Sequence, residues 1–380
     1  MPQVNNELKK HSLTLKKIIQ DKIKSEGPIS FAEYMQMALY YPTMGYYSSG
    51  MHKFGKEGDF ITSPELGSLF AQCLAKQFQQ IVSKLDRASI LEIGAGTGQF
   101  CFDCLLTLDS NKNLPEHYYI LEVSADLQQR QQTTVAKLPK HIRQRVRWLK
   151  QPLDEPFNGV IFANEVLDAL AVEVFKYDGN NFKRMMLKTL DDNQPCWQDF
   201  PEKLNQELKD KKLNLSENYI SEFIPNLSNW LKAITGSLQQ GAVIFVDYGY
   251  ERASYYHPQR NQGTLVCHFQ HQANYNYFNN IGIQDMTAFV DFTALAEAAD
   301  STALSVDGYT TQAHFLMSLG IHESLGDSEE NYKNYYKKTT EMKKLTLPNE
   351  MGEKFKVMAL TKNLELELQG FSFSNQLHLL

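Results

Sequence analysis

The sequence predicts an α/β fold built on an open, mostly parallel sheet. Two observations carry that expectation. From Arg87 onward, short apolar runs alternate with stretches of helical period. The first run also feeds a glycine turn that leads directly into a helix, Ser89-Ile-Leu-Glu-Ile-Gly-Ala-Gly-Thr-Gly-Gln-Phe100. The strands are read in order as Ser89–Ile93, Tyr118–Val123, Val146–Leu149, Val160–Ala163 and Ala242–Val246, with Leu304–Tyr309 and Phe355–Thr361 completing seven. Helices fit at Gln99–Leu108, Ala125–Leu138 and Phe292–Ala299.

Outside this core the pattern differs. Residues 1–26 read as a polar helix with an apolar stripe at Leu13, Leu15, Ile18, Ile19 and Ile23, ended by Gly27-Pro28. Ser30 with Glu33 three residues on is a capping box for a helix over Phe31–Tyr40. The Gly- and Tyr-rich stretch from Pro42 to Pro64 is too long for a plain connector, which marks it as functional or mobile. Nearly 80 residues separate the fourth and fifth strands, so about Val174 to Tyr219 reads as an insertion with a small sheet of its own. The expected division is an N-terminal extension and covering loop (1–80), a core (81–173 with 236–380) and an insertion subdomain (174–235).

Composition excludes several classes. Hydrophobic residues at 42% and charged residues at 22% give a globular balance. The net charge, 38 − 44 = −6, argues against a general nucleic-acid binder, and no DNA partner is expected. No apolar stretch is long enough to span a bilayer, and the N-terminus has no apolar signal core. Five cysteines are too few for a disulfide framework, so the expected location is the cytoplasm.

The glycine turn carries the chemistry. Gly94, Gly96 and Gly98 allow a tight reversal and close ligand approach to the backbone at Ala95, ahead of a helix with free N–H groups. A dinucleotide loop needs glycine at the sixth position, where this chain has Gln99; with Glu92 just ahead, the spacing fits an S-adenosyl-L-methionine (SAM) loop better. Glu122 and Val123 end the second strand, where an acid accepts hydrogen bonds from both ribose hydroxyls. The fourth strand ends in Asn164-Glu165-Val166-Leu167-Asp168. Strands 1 and 4 flank the switch point, so Asn164 and Glu165 are expected to face the glycine loop across one crevice. A helix starting there would put Glu165 and Asp168 on one face; the plainer reading of both acids is pairing with a helix dipole.

With these residues the chain resembles the MidA-like class I SAM-dependent methyltransferases, relatives of the mitochondrial complex I assembly-factor methyltransferase. The segments that carry the resemblance are Gly27-Pro-Ile-Ser-Phe-Ala-Glu-Tyr-Met35, Tyr41-Pro-Thr-Met-Gly-Tyr-Tyr47, Gly58-Asp-Phe-Ile-Thr-Ser-Pro-Glu65, Glu92–Gly98, Asn164-Glu-Val-Leu-Asp-Ala-Leu170, Val246-Asp-Tyr-Gly249, Gly263-Thr-Leu265, Asp285-Met-Thr287 and Met351-Gly-Glu-Lys-Phe-Lys-Val357. The resemblance implies SAM as cofactor, held by Glu92, Gly94, Ala95, Gly96, Gly98, Glu122, Val123 and Asn164. The loop Gly58–Glu65, with Thr62 and Pro64, would cover its methionine end. It also implies a protein arginine as acceptor, on a respiratory-complex subunit or another protein with an exposed arginine. Glu165, Asp168 and Asp59 would orient the guanidinium, with Asp247 behind them, and His271 would take the released proton. The family reads His ahead of Val-Asp-Phe, where this chain has Phe289, and Asp-Pro a few residues after His271, where it has Asn274-Tyr-Asn-Tyr277. The inserted and late loops are natural places for acceptor recognition or a homodimer contact.

Rival readings are a non-catalytic SAM-binding scaffold, a small-molecule methyltransferase and, weakened by Gln99, a nicotinamide oxidoreductase. Cys101 and Cys104 have no second pair to complete a zinc site and read as helix packing. Pro195-Cys196 lies too far beyond the fourth strand to be a nucleophile of base-methylating enzymes. Lys333–Lys344 holds five lysines and one acid, Glu341, and reads as a solvated helix face or a contact for acidic protein or RNA.

Overall fold

The computed structural model describes residues 6–49, 62–191, 195–326 and 332–380. The chain divides into two compact units, one of residues 1–60, 167–226 and 252–291, the other of 61–166, 227–251 and 292–380.

The second unit holds the central sheet. Its strands are β1 (Ser89–Ile93), β2 (Tyr118–Leu121), β3 (Val146–Leu149), β4 (Phe157–Asn164), β5 (Leu238–Tyr250), β6 (Ser305–Thr311) and β7 (Phe355–Lys362). They lie in the order 3-2-1-4-5-7-6, all parallel except β7. This is the class I methyltransferase arrangement, with the switch point between β1 and β4. Strands buried on both faces explain the near-continuous apolar runs in the sequence. On one face Phe162 stacks on Phe100 at 4.4 Å and meets Phe78 at 5.5 Å. On the other face Phe245 meets Trp230 at 6.2 Å. β5 runs well beyond the expected Ala242–Val246, because ladders with β4 and β7 on both sides hold its polar ends.

The first unit has a core of its own. Helix Asn6–Glu26 buries Leu15, Ile19 and Ile23, four apart, while Leu13 stays 57% exposed. Helix Phe31–Tyr40 begins as read: the Ser30 hydroxyl accepts from the Glu33 N–H at 3.1 Å. Both helices pack with Val172, Val174, Met185, Leu187, Cys267 and Met286. The inserted strands Glu173–Tyr177 and Phe182–Leu187 form as expected. Tyr219–Phe223 and Cys196–Asp199 join them antiparallel, and Ile29–Ser30 pairs with Phe182–Leu187. The observed division therefore differs from the expected boundaries at 80, 173 and 235. The N-terminal helices, the insertion and the 252–291 loops bury one shared apolar set, and that set defines a unit.

Residues 266–274 form a hairpin, with Phe269 paired to Gln272 across Gln270 and His271. Both loop residues have positive φ, 48° and 60°. A two-residue loop of this hand favours Asn-Gly, and each other L-residue held left-handed costs roughly 1 kcal/mol. Replacing the pair (Q270N with H271G) is therefore expected to stabilise the protein by about 1–2 kcal/mol, read as a higher urea midpoint at unchanged m-value.

Candidate active site

The glycine turn joins β1 to the helix Gln99–Ser110. Its three glycines have φ of 68°, 52° and 80°. A Cβ at Gly96 would project into open space, whereas one at Gly94 would lie 2.9 Å from Val166 Cγ2. Gly96 thus leaves open space beside the backbone, and Gly94 allows the end of β4 to close against the turn. Ala95 is buried in the apolar core, so it offers only its backbone to a ligand.

Two neighbours hold the turn that sequence reading missed. Gln131, fully buried on the helix Ala125–Val135, donates from Nε2 to the Gly96 carbonyl at 3.1 Å and to Glu122 Oε2 at 2.8 Å. Its Oε1 accepts from the Trp148 indole N–H at 3.1 Å. Glu65 accepts a short hydrogen bond from the Thr97 hydroxyl. Glu65 ends the segment that Thr62 begins as N-cap and Pro64 continues in the first turn, so this segment is tied to the glycine turn. Asp59 lies outside the described residues.

β2 ends at Leu121, short of the expected Val123, so Glu122 lies directly past the strand, with Oε1 accepting from the Ser124 N–H at 2.8 Å. Val123 beside it is 69% exposed, an apolar surface placed for a ligand ring. Glu92 departs from expectation. Strand period puts it on the face of Ile90, turned into the core, where the Tyr118 hydroxyl donates to Oε2 at 2.8 Å. Burial pushes its carboxyl up to about 8. Its carboxyl is taken up by a bond to the neighbouring strand inside the core.

The end of β4 also departs from the expected helix start. Glu165 has φ 53°, and a turn follows it. Its N–H extends the parallel ladder to the Val246 carbonyl at 2.9 Å. Asp247, 1% exposed, then accepts from the Val166 N–H at 3.2 Å and from the Tyr248 N–H at 2.9 Å. This carboxylate pins the left-handed residue, so the common helical face for Glu165 and Asp168 does not form. Asn164 donates to Glu165 Oε1 at 3.0 Å, while its own Oδ1 is buried with no hydrogen-bond partner among the described residues.

Asp168 belongs to the first unit, where its carbonyl accepts from the Ala288 N–H at 3.0 Å. Tyr47 donates to Asp285 Oδ1 at 2.9 Å and stacks on Tyr40 at 5.5 Å. Burial, then Asp285 and Asp168, push the Tyr47 phenol well up. Asp168, Asp285 and the two tyrosines therefore form one cluster, of which sequence reasoning singled out only Asp168. The Tyr-rich segment and Asp285-Met-Thr287 were the signals that could have found the rest. His271 is exposed at its hairpin tip. Cys101 and Cys104 are buried thiols held well above their ordinary range by burial, as helix packing requires.

A strand-1 glycine turn with open space at Gly96, a strand-2 acid beside an exposed apolar residue, and a buried acceptor at Asn164 Oδ1 with no partner among the described residues are features that suit a SAM-binding site. That acceptor suits a ligand ammonium, and the cradle at Gly96 suits close approach of a ligand to the backbone. Residues 73–310 match the family model for S-adenosyl-L-methionine-dependent methyltransferases of this kind, and the chain belongs to that family. It is similar over its whole length to a COG1565 superfamily protein from Burkholderia thailandensis solved bound to S-adenosyl-homocysteine, at 33% identity, TM-score 0.94 and full coverage of both chains. It is also 28% identical to the mitochondrial protein arginine methyltransferase NDUFAF7 homolog of Caenorhabditis elegans, over 93% of this chain and 88% of that one. The human NDUFAF7 is 26% identical over 91% of this chain and 83% of its own length.

Two outcomes test this geometry. Gly96→Val forces a β-branched side chain into a left-handed backbone and into the cradle. It is expected to abolish S-adenosyl-homocysteine binding in calorimetric titration while the protein keeps its far-UV spectrum. For Glu92, the folded protein keeps a proton between the ordinary carboxylate range and about pH 8 that the unfolded chain has lost. Stability should therefore fall as pH rises from about 5 to 8, and urea titrations of Glu92→Gln should show a flatter profile across that window.

Proposed function

We propose that this chain methylates an arginine nitrogen on a protein substrate. The observation that carries the reading is Glu165, fixed in a left-handed turn at the switch point by Asp247 and aimed by Asn164. Similarity to protein arginine methyltransferases over nine-tenths of the chain supports arginine as the acceptor.

SAM, when bound, supplies an electrophilic methyl group on a sulfonium. The glycine turn, Glu122, Val123 and Asn164 would hold it, with the Thr62–Glu65 segment fastened to the turn. The protein's own task is then positional. A guanidinium is planar and protonated, and a carboxylate accepts two of its N–H groups side by side. Glu165 is the first such carboxylate. The sequence pairs it with Asp168, which the first unit holds near Asp285 and the Tyr40–Tyr47 pair, a setting of charge and ring faces that suits a planar cation. Orientation of this kind accounts for much of the rate in methyl transfer. His271, exposed at its tip, is the residue this reading places on the path of the released proton. A cytoplasmic location belongs to the same reading, supported by five cysteines that all remain free thiols.

The test uses SAM with a labelled methyl and a mixture of cellular proteins, with labelled sites located by mass spectrometry. Label on arginine in the wild type, reduced roughly 100-fold by Glu165→Gln at unchanged S-adenosyl-homocysteine affinity, is the expected result. Label on small molecules, or an unchanged rate in the variant, would overturn it.

A further inference from the structure

Helix Tyr332–Thr346 is the most lysine-rich element of an acidic chain. Lys333, Lys337, Thr340 and Lys344 recur at helical spacing and line one open groove of about 610 Å³ together with Asn334, Tyr336 and Leu66. The three lysines are exposed, and none has an ion-pair partner within 4.0 Å among the described residues. Tyr336 is 65% exposed.

The one acid of the helix, Glu341, also lines the groove and lies within the field of Lys337. Glu341 is 4% exposed and turned inward, where Oε1 accepts from the Leu69 N–H at 2.6 Å. It caps the helix Leu69–Val82, whose own N-cap residue Ser68 makes no side-chain capping bond among the described residues. A Cβ at Gly67 would collide with this carboxylate, so the chain is glycine where it passes the cap.

We infer that this groove is a docking site for an acidic, extended segment of the protein substrate. The inference rests on the reading of a protein acceptor. Charge complementarity carries it, and spacing agrees. Along the helix, Lys333 and Lys337 are about 6 Å apart and Lys337 and Lys344 about 10.5 Å. Same-face side chains of an extended peptide recur every 6.6 Å or so, which matches the step from Lys333 to Lys337. Tyr336 and Leu66 add apolar contact between the cations. Leu66 directly follows Glu65, which is bonded to Thr97 of the glycine turn, so a segment held here borders the cofactor-binding turn.

The experiment is fluorescence anisotropy of a labelled octapeptide of alternating Glu and Ser, titrated with the full chain at low and at moderate salt. Binding at low salt is expected, weakened roughly tenfold in K333Q/K337Q/K344Q and by added salt, since three exposed pairs contribute modestly and are screened. Calorimetry of the same variant with S-adenosyl-homocysteine should be unchanged. A chain that binds the peptide but fails to bind S-adenosyl-homocysteine would sink the methyltransferase reading and leave the groove standing. Equal peptide binding by wild type and triple variant would overturn the inference. So would tighter binding of an oligouridine of equal charge, or a gain in peptide affinity on D327N/E329Q/E330Q, which would make the chain's own acidic segment the occupant.

Discussion

A single hydrogen bond, from the Val166 N–H to the Asp247 carboxylate, sets the geometry at the switch point. β4 cannot simply stop at Asn164. Its last N–H continues the ladder to β5, and Glu165 must then turn left-handed at a cost that a non-glycine residue meets only when its surroundings impose it. Asp247 imposes it, because β5 carries that side chain to the same height in the parallel register that pairs Val246 with Asn164. Val166 then closes over Gly94. The two loops of the site thus constrain each other: the β4 turn needs a glycine in the β1 turn, and the β1 turn is walled by the β4 turn.

Gln131 plays the matching part at the other side of the glycine turn. A buried amide must place both its donor and its acceptor, and here one side chain satisfies a loop carbonyl, an acid and an indole. Glu122 is therefore held in one orientation before any ligand arrives. Glu92 contributes from below in a different form, as a carboxyl kept neutral by burial and joined to Tyr118. Three buried side chains of similar size and polarity do three separate jobs because their hydrogen-bond partners differ.

Whether a contact is local decides what the sequence could show. Strand alternation, the glycine spacing and the Ser30 cap are local patterns, and each appears where the residues place it. The length of β5 is not local, since its polar ends are strand only because β4 and β7 hold them. The strand Cys196–Asp199 is too short and mixed to read alone, and its pairing with Phe182–Leu187 makes it. Glu165 and Asp168 looked like one helical face because acids three apart usually are, and a hydrogen bond from 81 residues away rules that out. Gln131 had no motif to announce it: an amide on a helix reads as surface until the helix's buried side is known. The division into units follows from which apolar faces meet, a property of the folded chain alone.

The first unit repeats this logic around another buried acid. Glu222, 1% exposed, accepts from the Thr264 N–H at 2.8 Å, the Thr264 hydroxyl at 2.5 Å and the Tyr255 hydroxyl at 2.9 Å. Burial raises its carboxyl while these three donors favour the charged form. Glycine stands at 263 because a Cβ there would strike the same carboxylate. The Thr264 oxygen in turn accepts from the Phe289 N–H at 2.9 Å. The backbone of residue 289 is therefore fixed by a network that does not depend on which side chain it bears. A change of side chain at 289 therefore leaves the support beneath it undisturbed, because the bond that fixes this position is made by the backbone N–H.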